Sequence, residues 1–300
     1  MAPIPKHAVI AGCARDCARY LSAIQGNLRA IGGMFEKVSL IVFENDSTDG
    51  TKEAVKQLLP EVKSRSITCV DGLDRVFPFR TQRLAFARNT IASVIRESEC
   101  RFADYVVLLD FDDVNALPLN LESVWDAIGA LESDTSLGAA FANSNGPYYD
   151  LWALRHPVIC PNDVWLSCEV NRRETGKDAE EIFDQLFRPR LFVIPVDFDP
   201  IEVESAFGGL GFYKAACFTK TNAMYVGEQT KLIRQSSIYQ ILHYQACEHV
   251  SFHHGVRMET GLKLKIFPGL VNRILPYQGF GHPNIMKGLA IGCYPINDAG

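Results

Sequence analysis

A chain of 300 residues, 47% of them apolar, can bury a large core as one big domain or as two intimately joined halves. Its net charge of −5 excludes a general nucleic-acid binder, which needs a basic face. No apolar run approaches the roughly 20 residues that span a bilayer. The nine cysteines, odd in number and without CxxC pairs, read as buried thiols of a reducing compartment rather than as a disulfide framework or a zinc site. A cytoplasmic protein is the expectation.

The start, "MAPIPKHAVIAGCARDC", breaks at once into Arg15 and Asp16 and reads as a first core strand rather than a signal peptide. Strands are predicted at 7–12, 38–43, 66–70, 105–110 and 137–142, with helical patterns at 16–31, 51–59, 81–98 and 119–132 between them. Such alternation predicts an α/β fold: a mostly parallel sheet flanked by helices on both faces. Ligands of these sheets sit at the carboxyl ends of the strands. After residue 145 the periodicity weakens, and a mixed second half is expected with further strands near 191–196, 214–220 and 238–253. The residues from 261 to 300, rich in Pro and Gly, read as a tail wrapping the surface.

Polar residues concentrate at three of these strand ends. "ENDSTDGT" (44–51) follows the second strand, and Ser47 or Asp49 can cap a helix starting near Thr51. Glu44 and Asp46 are not needed for that cap and are candidates to accept hydrogen bonds from a ribose or a base edge. In "TQRLAFARNTIASVI" (81–95), Arg88 falls on the apolar stripe of Leu84, Ala87, Ile91 and Ile95. A buried guanidinium needs an anionic partner: an internal carboxylate, an Asp of the 110–113 cluster, or a diphosphate. Arg83 and Asn89 are candidates for the same crevice.

"VVLLDFDDVN" (106–115) sets Asp110, Asp112 and Asp113 directly behind a buried strand. Three carboxylates so close repel one another unless protons, basic side chains or a cation intervene. Mn2+ or Mg2+, which favour one or two carboxylates plus substrate phosphates, would resolve the repulsion and fix a nucleoside diphosphate. The plain alternative is a turn or helix-cap cluster. "QACEHVSFHHGVR" (245–257) adds Glu248 as a candidate base and His249, His253 and His254 as candidate metal ligands within strand-like sequence.

In this order, "VFENDSTDGT", "LAFARNT" and "VVLLDFDD" resemble the GT-A glycosyltransferases, enzymes of nucleotide-sugar donors. With "YYDLWALR" (148–155) and "CEHVSFHHG" (247–255), the chain further resembles the fungal capsule-associated alpha-1,3-mannosyltransferases up to about residue 257. The resemblance implies a GT-A, Rossmann-like fold with a nucleotide-sugar half at about 1–145 and an acceptor half at about 146–260. It implies transfer of a sugar from a GDP- or UDP-sugar to a glycan hydroxyl, with a metal bridging a DxD motif and the diphosphate. Asp110 and Asp112 then form the DxD, His253 completes the metal sphere, Glu248 is the acid of the C-terminal active-site motif, and Asp150 lies on the acceptor side. Arg88 or Arg15 would stabilise the departing diphosphate. The capsule-type motifs imply retention of the anomer, whereas "DFDD" resembles inverting GT-A enzymes.

Two rivals stand beside this reading. "LLDFDDVN" also resembles the DxDx(T/V) signature of haloacid-dehalogenase-type Mg-dependent phosphatases, with "VDFDP" (196–200) as the only later acidic pair of the required shape. A non-catalytic carbohydrate-binding protein is the other, since fold alone does not assign chemistry.

Overall fold

The computed structural model describes residues 2–235, 238–275 and 284–285. Its strands in chain order are β1 (Ile4–Ala14), β2 (Phe35–Asn45), β3 (Ser64–Val70), β4 (Tyr105–Leu109), β5 (Leu137–Asn145), β6 (Phe192–Val193), β7 (Ile201–Val203), β8 (Leu210–Lys214), β9 (Glu228–Gln235), β10 (Ile238–Gln245), β11 (Lys263–Ile274) and β12 (Asn284–Ile285). The helices are α1 (Ala18–Gly32), α2 (Thr51–Val55), α3 (Leu73–Val76), α4 (Arg80–Glu97), α5 (Leu121–Ser133), α6 (Val164–Thr175), α7 (Ala179–Ile182), α8 (Ala216–Thr219) and α9 (Glu248–Thr260). None of the described helices is long and apolar enough to cross a membrane.

One mixed sheet of eight strands in the order β3-β2-β1-β4-β8-β5-β11-β7 organises the chain. β1 pairs parallel with β2 and β4, β2 with β3, and β5 with β11. β8 runs antiparallel between β4 and β5, and β7 antiparallel on β11. The fold is therefore α/β with a mostly parallel, Rossmann-like sheet. Alternation along each strand divides the core between its two faces. Val9, Ala11, Ile41, Phe43, Val106 and Leu108 pack towards α4 and α9. Ala8, Ile10, Leu40, Val42, Val107 and Leu109 pack towards α1 and α5 on the other side.

The strand order reverses between β1 and β4, and crevices in such sheets open at that switch point. Gly12 lies there because nothing larger fits: a Cβ would stand 2.4 Å from the Leu109 carbonyl oxygen and 2.6 Å from the Phe111 ring. The loop Gly208–Gly209 before β8 takes φ of 65° and 79°, a left-handed conformation that disfavours side chains. Its carbonyls tie the neighbourhood together. Gly209 accepts from the Asp110 N–H at 2.9 Å, and Gly208 accepts from the Asn272 amide at 2.7 Å. Asn115 bridges the same knot, donating to the carbonyls of Asp110 and Gly209.

Three sequence expectations are corrected in the second half. Residues 214–220 hold the end of β8 and then α8, not a strand. The predicted strand 238–253 stops at Gln245, and the polar cluster behind it is helix α9, with Glu248 in its first turn. Most of the predicted tail's first part is β11, a central strand whose Leu264, Ile266 and Leu270 are buried. Its apolar residues are spread among Lys263, Lys265 and Arg273, so the local pattern hid a strand paired on both sides. Nearly all of the remainder, from 276 on, lies outside the described residues.

Gly12→Ala should test the tightness of the switch point. The added methyl must displace either the end of β4 or Phe111, and overpacking of this kind costs about 1–3 kcal/mol. Urea unfolding should show that loss, whereas Gly26→Ala, with open space around its Cβ, should show none.

Candidate active site

A cavity of about 290 Å³ opens at the carboxyl end of β4. Its lining combines the carboxylates Asp110, Asp112, Asp113, Asp150 and Glu248 with the guanidinium groups of Arg80, Arg88 and Arg273. Tyr149, Trp152, Trp165 and Phe207 form an aromatic wall, and Cys247 and His249 lie beside Glu248. A second cavity of about 470 Å³ opens elsewhere, near Lys6, Asp104 and Lys214, away from these groups.

Arg88 is the centre of the charged part. It is 5% exposed on the inner face of α4, among Ala85, Ala87, Ile91 and Ala92. Its Nη2 donates to Asp110 Oδ1 at 3.0 Å and its Nε to Glu248 Oε1 at 2.9 Å. The guanidinium also lies 4.9 Å from the centre of the Phe207 ring. Burial disfavours its charge, but Asp110 and Glu248 outweigh that cost and hold its pKa well above the ordinary value. Of the partners open to Arg88 in the sequence, the structure selects two internal carboxylates, one from β4's end and one from α9.

The acids around Asp110 are unevenly compensated. Asp113 pairs with Arg273 at 2.8 Å. Among the described residues Asp112 accepts only the Val114 N–H, at 3.1 Å, and burial together with the neighbouring Asp110 charge pushes its carboxyl up to about 6. Asp150, held by the N–H groups of Gly208 at 3.0 Å and Ala153 at 3.2 Å, is also pushed up to about 6, by burial foremost. His249 is 2% exposed and stacks on Phe207 with centroids 4.0 Å apart. Burial and then Arg88 hold its pKa well below the usual histidine value, so it is neutral. Among the described residues neither ring nitrogen has a hydrogen-bond partner, Glu248 Oε1 standing 3.9 Å from Nε2.

Other candidates from the sequence stand outside this cavity, each for a structural reason. His253 lies beneath it, fully buried, with Nδ1 2.8 Å from the Ser205 hydroxyl and Nε2 3.0 Å from the Tyr213 hydroxyl. Five residues of helix turn through about 140°, so His253 faces the core while Glu248 faces the cavity. Among the described residues no group of three or more His, Cys, Asp and Glu side chains is arranged to hold a metal, and the set Asp110, Asp112 and His253 does not assemble. His254 is exposed.

Asp46, in a left-handed conformation at φ 53°, accepts from the N–H groups of Gly72, Leu73 and Asp74 and from the Asn45 amide. Arg83 donates to the carbonyls of Phe77 and Pro78. Asn89 exchanges two hydrogen bonds with the Tyr225 backbone. Glu44 is buried and accepts from the Ser47 N–H, its second oxygen unpartnered. Arg15 is exposed beside Asp16. None of these five lines the cavity. The loop 44–51 instead caps α1 across the sheet. Thr51 accepts from the Cys17 N–H and Asp49 from the Ala18 N–H, while Ser47 and Asp16 reciprocate.

Sequence reasoning missed Arg80, Arg273, His249 as a cavity residue, and the aromatic wall. "YYDLW" was a signal for part of that wall. Arg273 gave none, because its strand was not recognised.

No family model matches this chain, and no curated protein matches it. Several solved structures are similar. The mannosyltransferase of Pyrobaculum calidifontis, in complex with GDP-Man and Mn2+, is 16% identical over 70% of this chain and 45% of its own, with a TM-score of 0.36. Glucosyl-3-phosphoglycerate synthase from Mycobacterium tuberculosis, in complex with phosphoglyceric acid, is 12% identical over 90% of this chain and 69% of its own, with a TM-score of 0.38. A mycobacterial protein is 12% identical over 92% of this chain and 70% of its own, with a TM-score of 0.42. Likenesses this distant assign no activity to the chain.

Arg88→Met keeps the length of the side chain and removes its charge. Two carboxylates then remain in the interior without a counter-ion, so stability should fall by about 3–5 kcal/mol near pH 7. Urea unfolding reads that loss, and Arg88→Lys, which keeps the charge but not the two-pronged contact, should recover part of it. An equal loss in both variants would mean that the charge of Arg88 contributes nothing.

Proposed function

We propose that this chain is a metal-dependent glycosyltransferase of the GT-A fold, moving a sugar from a nucleoside-diphosphate sugar to a glycan hydroxyl. One observation carries the reading: at the switch point of the sheet, undercompensated carboxylates (Asp112 above all) face a cleft that Arg80, Arg88 and Arg273 also line. A metal-bound diphosphate is the complement of that pattern, since its cation answers the acids and its oxygens answer the arginines. Arg88, already committed to two carboxylates, aligns them instead of binding phosphate.

Asp112 and Asp110 are the residues that would hold Mn2+ or Mg2+, and the raised carboxyl of Asp112 fits a site shaped for a cation. Such a cation supplies charge neutralisation of the departing diphosphate. Arg80 at the rim and Arg273 beside Asp113 are positioned to share that task. Asp150 is the better proton acceptor of the two inner acids. Its carboxyl titrates near 6, close to the working range of a general base. Glu248 is fixed by Arg88 and serves as an orienting carboxylate. The motif resemblance supports a mannosyl donor, GDP- or UDP-linked, and a role in surface polysaccharide or glycan synthesis. The eight described cysteines are all free thiols, which supports action in the cytoplasm.

The phosphatase reading loses its nucleophile: Asp110 is bound to Arg88, and Asp197 and Asp199 of the later acidic pair do not line the cavity. A carbohydrate-binding protein without catalysis would not need the charged half of the cleft.

Calorimetry with GDP-mannose and UDP-glucose should show donor binding that depends on Mn2+. Asp112→Asn, which retains the cap on Val114, should weaken it at least about tenfold, roughly 1.4 kcal/mol. Donor binding indifferent to metal and to this substitution would remove the diphosphate from the cleft.

The proton acceptor has its own signature. A base must be ionised, so transfer should fall as pH drops through about 6, the value to which burial raises Asp150. Asp150→Asn should lose about 100-fold or more in kcat and flatten that limb. With Asp150 as base, proton magnetic resonance of the product should find the inverted anomer, against the retention that the capsule-type motifs imply. A retained anomer from an active Asp150→Asn enzyme would sink the assignment.

A further inference from the structure

The aromatic wall of the cavity is unexplained by a metal and a diphosphate. Trp165, at the start of α6, is 37% exposed, an uncommon placement for the largest apolar side chain. It packs edge-on against Trp152 with centroids 6.0 Å apart and lies 4.9 Å from Phe187. Phe187 stacks in turn on Phe183 at 4.3 Å. The exposed ring is thus held from behind rather than left to rotate. Two further features belong to the same wall. Among the described residues the buried indole nitrogen of Trp152 finds no hydrogen-bond partner, and neither do the two buried ring nitrogens of His249. Leaving such a donor or acceptor unmet costs about 1–3 kcal/mol each. Both residues line the cavity, so a small turn of either ring would bring these covered nitrogens to a ligand there.

We infer that Trp165, Trp152 and His249 form a subsite for one neutral pyranose ring, the sugar that receives the transferred group. A pyranose has one face of C–H bonds and a rim of hydroxyls that both donate and accept. The face matches the supported indole of Trp165. The rim matches one unpartnered N–H and one neutral imidazole, which offers a donor and an acceptor at once. Asp150 lies in the same lining and is held by Gly208, the residue after Phe207, whose ring His249 stacks on. A hydroxyl of a ring seated here would therefore approach Asp150. A nucleobase also stacks on indole, but topology places it elsewhere. The wall comes from the segment after β5, from α6, from the loop before β8 and from α9, whereas the nucleotide-binding half of such a sheet is built on β1 to β3.

This inference rests on the transferase reading for the ring's role, though not for its binding. Methyl α-mannopyranoside and mannobiose, titrated into the full chain without donor or metal, should shift tryptophan emission and give saturation-transfer signals from their C–H protons. Trp165→Ala, at a partly exposed position, should weaken that binding at least tenfold, and Trp165→Tyr should restore most of it. His249→Phe, which keeps the stack on Phe207 and removes both nitrogens, should weaken it severalfold. In the transfer reaction Trp165→Ala should raise the acceptor KM far more than it changes kcat. Donor affinity by calorimetry should change less than twofold.

Saccharide binding that depends on Trp165 in a protein that binds no nucleotide sugar would uphold the subsite and overturn the transferase reading. Donor binding with no Trp165-dependent saccharide binding would do the reverse. A loss of nucleotide affinity in Trp165→Ala equal to any loss for saccharide would make the wall a base site and overturn the inference.

Discussion

Arg88 sets the geometry around which the site is built. A guanidinium taken out of water carries a penalty of several kcal/mol that only near-ideal partners offset. Its partners come from far apart in the chain: Asp110 from the end of β4 and Glu248 from the first turn of α9. Helix, strand and second helix are therefore held in register by two charged contacts as well as by apolar packing. Apolar packing tolerates small slides, whereas a two-pronged ion pair inside the protein does not. The acids nearest Arg88 are fixed by it, and those one step away, Asp112 and Asp150, carry the unbalanced charge that chemistry can use.

That imbalance also explains why the two halves of the cleft differ so much in character. On the β4 side, charge is crowded and partly uncompensated. On the side built after β5, aromatic rings back one another beside Asp150, the Trp152 indole and the neutral His249. The loop Gly208–Gly209 runs between the two and touches both, through the Asp110 backbone and the Asp150 carboxylate. The loop thus joins the two halves by one main-chain hydrogen bond, at Asp110, and one to a side chain, at Asp150.

The first half of the fold was legible because β1, β2, β4 and β5 are largely buried on both faces and alternate with helical patterns, so hydrophobic period and element type coincide. The strands foreseen at 38–43, 66–70 and 105–110 became Phe35–Asn45, Ser64–Val70 and Tyr105–Leu109. The second half was less legible, since β11 mixes lysines and an arginine into a central strand and α9 opens with residues that suit either state. The site was legible where burial and charge conflicted, as at Arg88 and Asp110. It misled where a polar side chain serves the backbone. Nothing in the letters separates Asp46, whose oxygens hold the turn at Gly72–Asp74, from a carboxylate waiting for a ribose. Histidines misled for a related reason. His253 meets two internal hydroxyls that lie 48 and 40 residues away, and neither could be inferred locally.

The mutual capping of the loops after β1 and β2 has a dynamic consequence. The first amides of α1 are satisfied by Thr51 and Asp49, and the loop that carries those residues is held in turn by Asp16. Neither loop can open without stripping hydrogen bonds from the other. Fraying of α1 and displacement of residues 47–51 are then a single event, with one opening free energy shared by amides on two separate segments. A donor bound at this edge of the sheet would meet a surface ordered before it arrives, so little of its binding energy would go into arranging the loops.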